Sequence, residues 1–292
     1  MTEQTTSPRI PRELRERIPG SNEPVSTAGS GPIGIEGLGP LPKFRGTAEI
    51  LGVMAVFAVV FFGLQAALVS THTPDYVFPR PFSVVVTLTT KFGVLYASYL
   101  WVTVQELLIG FAIGSTVGVV LAAVITQRPF LEKLIVPYIL ILITTPMIAL
   151  VPFLMLKFGF GSTPKIIAVA LASGPMVMIN ASTGFRRTDL AKIALARSYG
   201  ASTWQIFYKI RLPFALPMIL VGYMVGCIFG LLTAVGAEMV GGGGGLGQRL
   251  VYFSSLLQMP AFGGAVVLIS ALGIVIYVIF YFIAKRWTNW QT

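Results

Sequence analysis

Long apolar runs, separated by short polar breaks, fill this chain from residue 49 onward. A helix needs about 20 apolar residues to cross roughly 30 Å of hydrocarbon. Six segments meet that length: about 50–70, 100–126, 134–156, 165–184, 213–237 and 264–284. The stretch from Val84 to Tyr99 is apolar in parts but interrupted by Lys91 and Gly93. It reads as an amphipathic helix on the outer face, with a seventh span as the alternative. The pattern predicts an all-α, polytopic membrane protein with six transmembrane helices. Residues 1–48 lack the pattern; they are rich in Pro, Gly, Ser and Thr, with an Arg/Glu cluster at Arg12–Arg17. Such a segment has too little apolar surface to offset the entropy of folding, so a disordered tail is expected ahead of a transmembrane domain over 49–292. The tail is not expected to be a cleavable signal peptide, because no apolar run precedes residue 50 and that run is long enough to span.

Composition sharpens this picture. Charged residues make up 11% of the chain and hydrophobic ones 55%, against about a quarter charged in soluble domains. The net charge of +10 could point to nucleic acid, but its distribution points to topology. With the N-terminus inside, sixteen Lys and Arg fall on the cytoplasmic side: Arg9, Arg12, Arg15, Arg17, Lys43 and Arg45 in the tail, two in 127–133, six in 185–212 and two near the C-terminus. Five fall outside: Arg80, Lys91, Lys157, Lys165 and Arg249. Both termini are therefore expected in the cytoplasm. The single cysteine, Cys227, and the single histidine, His72, are far apart in sequence and leave no zinc set and no Cys/His nucleophile. No metal or cofactor is expected. A membrane-embedded enzyme would need paired acids, a histidine cluster or a Ser/Lys dyad, and the spans offer essentially one acid and no histidine.

The most informative polar break is "ARSYGASTWQIFYKIRLP", residues 196–213, within the loop 186–212 between the fourth and fifth spans. Asp189 is suited to cap a helix running to about Tyr199, where Gly200 can supply a left-handed stop. Ser202 and Gln205 have the spacing of a capping box that starts a second helix. On that helix Trp204, Phe207, Tyr208 and Arg211 fall at i, i+3, i+4 and i+7, on one face. Pro213 then opens the fifth span, where its missing N–H costs little. Physics alone leaves two readings for this helix–glycine–helix elbow: an interfacial pair held by lipid, or a docking knob for a cytoplasmic protein.

"ARSYGAS" followed by "RLPFALP" resembles the EAA loop of bacterial ABC-importer membrane subunits, with Ala196, Gly200, Ala201, Leu212, Pro213 and Pro217 matching its pattern. "TVQELLIGFAIGSTVGVVLA", "TTPMIALVPFLMLKFGFGSTPKI", "GPMVMINASTGFRRTD" and "GAEMVGGGGGLGQRL" are each similar to stretches of nitrate/sulfonate/taurine-type permeases, and "VFPRPFSVV" to the family's segment ahead of the second span. The resemblance covers about residues 75–285. It departs at the motif's glutamate, where Ala194 stands, followed by Leu195. The resemblance implies a type I importer-like permease in the bacterial inner membrane, paired with a second permease subunit in a homodimer. Cytoplasmic ATP-binding subunits would drive it and an extracytoplasmic binding protein would deliver a small polar solute. It implies further that the elbow is the coupling helix pair, with Ala196, Arg197, Gly200, Ala201, Trp204, Leu212 and Pro213 at the ATPase contact. A secondary transporter or channel acting without an ATPase is the alternative.

The glycine run "GGGGGLGQRL" invites a phosphate-loop reading, but Gln248 and Arg249 stand where Lys and Ser/Thr are required. A flexible outer loop or re-entrant turn is expected there. Gly110, Gly114 and Gly118 recur every fourth residue and suit close helix packing. Four residues are candidates for the translocation path. Glu106, with Gln105 beside it, lies inside the second span, where an ionisable group faces an interior or a wet cavity. Glu238 ends the fifth span near the outer mouth, and Asn180 sits at the inner part of the fourth, where a local hydrogen bond is the simpler reading. Glu at position 106 resembles the relatives that carry thiamine or riboflavin precursors, which implies a neutral or cationic heterocycle as solute.

Overall fold

The computed structural model describes residues 47–288; the tail expected over 1–48 lies almost wholly outside them. Among the described residues every regular element is helical. The helices are α1 (Thr47–Ser70), α2 (Pro81–Leu95), α3 (Ala97–Ile125), α4 (Pro129–Thr144), α5 (Met147–Phe158) and α6 (Ser162–Arg186). They continue with α7 (Leu190–Ser198), α8 (Thr203–Ile206), a π-helical turn (Phe207–Arg211), α9 (Leu212–Gly241), α10 (Leu246–Ser255) and α11 (Met259–Thr288).

Five of these are long and apolar enough to cross a membrane: α1, α3, α6, α11 and the continuous run from Thr203 to Gly241. The remaining predicted span, 134–156, third in chain order, is not one helix. It is the pair α4 and α5, bent by 97° at a break. The cause is local: Pro146 follows Thr145, which is held extended at φ −76°, ψ 124°, and the residue before a proline avoids helical backbone. Pro137 and Pro152 lie inside the two helices, yet the chain turns only at Pro146.

The bundle is built on α6, which packs along both α3 and α9. The α3 glycines make this possible. A Cβ on Gly114 would run into the Ala170 backbone and the Ser173 hydroxyl, and one on Gly118 into the Gly174 carbonyl. Backbones that close gain dispersion contact where lipid offers no hydrophobic drive. Helix α2 spans 15 residues, too few to cross, and lies against the start of α11, where Val84 meets Gly263. The helix expected at 84–99 thus starts three residues earlier and ends four earlier, closed by Tyr96. The buried Tyr96 hydroxyl donates to the Ala261 carbonyl at 3.0 Å, tying the α2–α3 joint to α11. Helix α1 packs against α2 alone of the bundle's well-contacted elements: none of its most apolar stretch is buried, and the Phe82 N–H donates to Gln65 Oε1 at 3.2 Å.

Candidate functional site

The elbow occupies one end of the bundle. Asp189 is the N-cap of α7, its Oδ1 accepting the Ala191 N–H at 2.8 Å. The helix ends in a left-handed stop at Gly200, φ 76°. The Gly200 N–H donates to the Arg197 carbonyl at 2.9 Å, and the Ala201 N–H to the Ala196 carbonyl at 3.0 Å. These two bonds satisfy the last carbonyls of α7 in the Schellman arrangement. Two residues later the capping box is complete: Gln205 N–H donates to Ser202 Oγ at 3.3 Å, and Ser202 N–H to Gln205 Oε1 at 2.8 Å. The bend is thus held by backbone bonds at Gly200 and Ala201 and by side-chain caps at Asp189, Ser202 and Gln205.

Beyond α8 the helical register of the predicted face changes only after Phe207, where the helix passes through a π turn. Pro213 cannot donate to a carbonyl one turn back, and the chain absorbs the mismatch in the π turn, where Leu212 N–H bonds to the Phe207 carbonyl. Trp204 and Phe207, three residues apart, share a face and stack at 5.9 Å between centroids; Phe207 also packs inward on Phe185 at 5.4 Å, while Trp204 and Tyr208 remain exposed. The second elbow helix thus runs on into α9 as one element, and Pro213 does not begin a separate span. Ile193, Ile206 and Phe207 are the buried anchors of the elbow, whereas Tyr199 is 83% and Trp204 70% exposed.

At the opposite end four elements meet in a buried polar cluster. Lys165, in the first turn of α6, places Nζ 2.7 Å from Glu106 Oε1 on α3, with side-chain exposures of 0% and 2%. Lys165 Nζ also faces the Gly244 carbonyl at 3.3 Å. Glu238, at the end of α9, accepts the Gly247 N–H through Oε2 at 2.7 Å. Thr103 Oγ1 accepts the Leu246 N–H at 2.9 Å. Between these anchors Gly242, Gly243, Gly244 and Gly245 all hold positive φ, a run that side chains with a Cβ rarely tolerate. Glu238 and Thr103 thus act as acceptors for the opening N–H groups of α10, which no intrahelical carbonyl satisfies.

The description "binding-protein-dependent transport system inner membrane component" matches residues 114–289 as a family model. The chain belongs to this family of transport permeases. Among its relatives, the putative aliphatic sulfonates transport permease of Escherichia coli K12 is 32% identical over 74% of this chain and 82% of its own length. The riboflavin transport system permease of Chloroflexus aurantiacus is 25% identical over 86% and 93%. In fold the chain is similar to the inward-facing MetNI methionine ABC transporter, with a TM-score of 0.57 and 23% identity over 66% of this chain and 94% of that one. The protein is a multi-pass inner-membrane permease subunit of an ABC importer.

Within the permease the predicted residues separate into two groups. Ala196, Arg197, Gly200, Ala201 and Trp204 lie together on the elbow, and Leu212 and Pro213 carry it into α9. Of the path candidates, Glu106 and Glu238 share the polar cluster, Gln105 faces away from it on the exposed side of α3, and Asn180 bonds locally to the Met176 carbonyl at 2.8 Å. Glu106 is paired with Lys165, so its charge is balanced within the cluster. Charge counting puts Lys165 in an outer loop, whereas it lies buried in the first turn of α6. The available signal is an opposite charge near the corresponding end of a neighbouring span. Arg249, also counted outside, lies over the Tyr99 ring at 3.8 Å from its centroid.

Proposed function

We propose that the elbow is the point at which cytoplasmic ATP-binding subunits drive this permease, and that both chain termini lie in the cytoplasm. In this reading the permease pairs with a second copy of itself. A small polar solute arrives at the glycine-turn end from an extracytoplasmic binding protein, and ATP hydrolysis takes place in the partner subunits. The observation that carries the proposal is the pre-shaped elbow. It is capped at both helix starts and stopped by left-handed Gly200, yet it presents Leu190, Leu195, Tyr199 and Trp204 to the outside. A lipid-bound helix pair does not require such turn chemistry, whereas a knob entering a protein cleft gains from being ordered beforehand. The excess of Lys and Arg at the elbow end supports the orientation.

Tyr199→Cys in a Cys227→Ser background tests both parts. A membrane-impermeant maleimide is expected to label it in inverted vesicles and not in intact cells, and assembled ATP-binding subunits are expected to protect it. Labelling from outside intact cells would contradict the orientation. Undiminished labelling in the assembled complex would contradict docking.

A further inference from the structure

Two buried carboxyl groups face one buried lysine at the glycine-turn end. Lys165 Nζ directs one N–H at Glu106 Oε1 and a second at the Gly244 carbonyl, and an ammonium group has three. Glu238 is fully buried and lies against Gly245, where a Cβ would run into its carboxyl group. Its Oε2 holds the Gly247 N–H, but its Oε1 accepts no hydrogen bond from a described residue. The neighbouring Thr103 hydroxyl donates to the Tyr99 carbonyl at 3.2 Å, and Arg249 of α10 is stacked on the Tyr99 ring. Lys165 is within electrostatic reach of Glu238 as well as Glu106, so its third N–H has a second seat available.

The two pairings hold different helices together. Seated on Glu106, Lys165 ties α6 to α3 and, through the Gly244 carbonyl, to the turn. Seated on Glu238, it ties α6 to α9 and leaves α3 free at this end. A buried charge is costly to leave unpaired, which keeps the lysine on one acid or the other. The turn between them is able to follow, because Gly242, Gly243, Gly244 and Gly245 carry no side chains and all hold positive φ. In the structure Lys165 sits on Glu106, and Gly244 lies against half-buried Val102 of α3, within van der Waals reach of a Cβ.

We propose that Lys165 passes from Glu106 to Glu238 during the transport cycle, and that this exchange releases the glycine turn from α3 and opens the outer mouth. Lys165, Glu106 and Glu238 are positioning residues: they act on the solute's entry through the turn and not by touching the solute. The exchange rests on the reading that ATP-binding subunits drive this permease and that the solute arrives at the glycine-turn end.

Val102→Cys in a Cys227→Ser background reports whether the turn covers α3. The permease is assembled with its ATP-binding subunits in nanodiscs and labelled with hydroxyethyl methanethiosulfonate, whose neutrality keeps changes in site charge from biasing the rate. With the cluster intact, ATP plus vanadate is expected to raise the rate about tenfold, as a state populated at a tenth or less becomes the dominant one. Glu238→Gln removes the second seat, and the rate is expected to stay low with or without ATP and vanadate. Glu106→Gln removes the first, and the rate is expected to be high in both conditions. A merely structural cluster would loosen in both variants alike. Labelling of Glu238→Gln as fast as the intact cluster with ATP and vanadate, or of Glu106→Gln no faster than it without them, would overturn the proposal. So would an intact cluster that does not respond in a complex that hydrolyses ATP. If Glu106→Gln is not recovered, Glu106→Asp, which shortens the first seat, is read by the same criteria. If no ATP-hydrolysing complex forms, the coupling reading fails instead, and the permease alone still decides the exchange: Glu106→Gln labels faster than Glu238→Gln, and equal rates overturn it.

Discussion

Lys165 on α6 and Glu106 on α3 form an ion pair at 2.7 Å, sealed from solvent on both sides. Breaking a buried pair strands a charge, at a cost of about 3–5 kcal/mol, while replacing both partners with neutral groups can cost far less. Lys165→Met alone and Glu106→Gln alone are each expected to lower the unfolding temperature of the purified permease in detergent. The double variant is expected to recover most of that loss. Additive losses would show that the two side chains do not act as a pair.

Glu238 holds the start of α10 through the Gly247 N–H. Glu238→Ala removes the acceptor and leaves that amide unpaired, worth about 1–3 kcal/mol. Hydrogen exchange at Leu246 and Gly247 is expected to rise by about tenfold or more in this variant. Glu238→Gln retains an acceptor oxygen and is expected to stay close to wild type. Equal protection in Glu238→Ala and wild type would mean that the glycine turn is held by other contacts.

Much of this arrangement is legible along the chain, and the parts that are not have identifiable causes. Capping at Asp189, Ser202 and Gln205 and the stop at Gly200 are local chemistry, so residue types at fixed spacing suffice. The break at Pro146 is hidden because apolar residues continue across it, and hydropathy does not register backbone direction. The burial of Phe207 is hidden because its partner Phe185 lies on another helix, far away in sequence. The Glu106–Lys165 pair joins positions far apart in sequence, and charge counting treats every lysine as a marker of sidedness.

The close approach of α3 and α6 predicts a steric limit. A leucine at Gly114 would meet the Ala170 backbone and the Ser173 side chain, and overpacking of this kind costs about 1–3 kcal/mol or more. Gly114→Leu is expected to reduce the yield of folded permease after detergent extraction, measured by size-exclusion chromatography. Gly93, where a Cβ meets nothing within 4 Å, is the control: Gly93→Ala is expected to be tolerated. Normal recovery of Gly114→Leu would contradict the packing described.

The capping box makes a further prediction. Ser202→Ala removes the acceptor of the Gln205 N–H, at a cost of about 1 kcal/mol. Exchange of the Gln205 amide is expected to rise about fivefold. Exchange in the α6 core around Val177 is expected to stay unchanged. A uniform rise across the protein would instead indicate global destabilisation.

The elbow's shape depends most on Gly200, whose φ of 76° a β-branched residue resists, at about 1–2 kcal/mol. The most direct measurement is recovery of the ATP-binding subunits on tagged permease, with solute uptake measured in parallel. Gly200→Val is expected to insert normally, to retain about a tenth of the bound ATP-binding subunit and to lose uptake. Gly200→Asn, which tolerates the left-handed backbone, is expected to keep most of both. Wild-type recovery and uptake in Gly200→Val would contradict the assignment of the elbow as the coupling element.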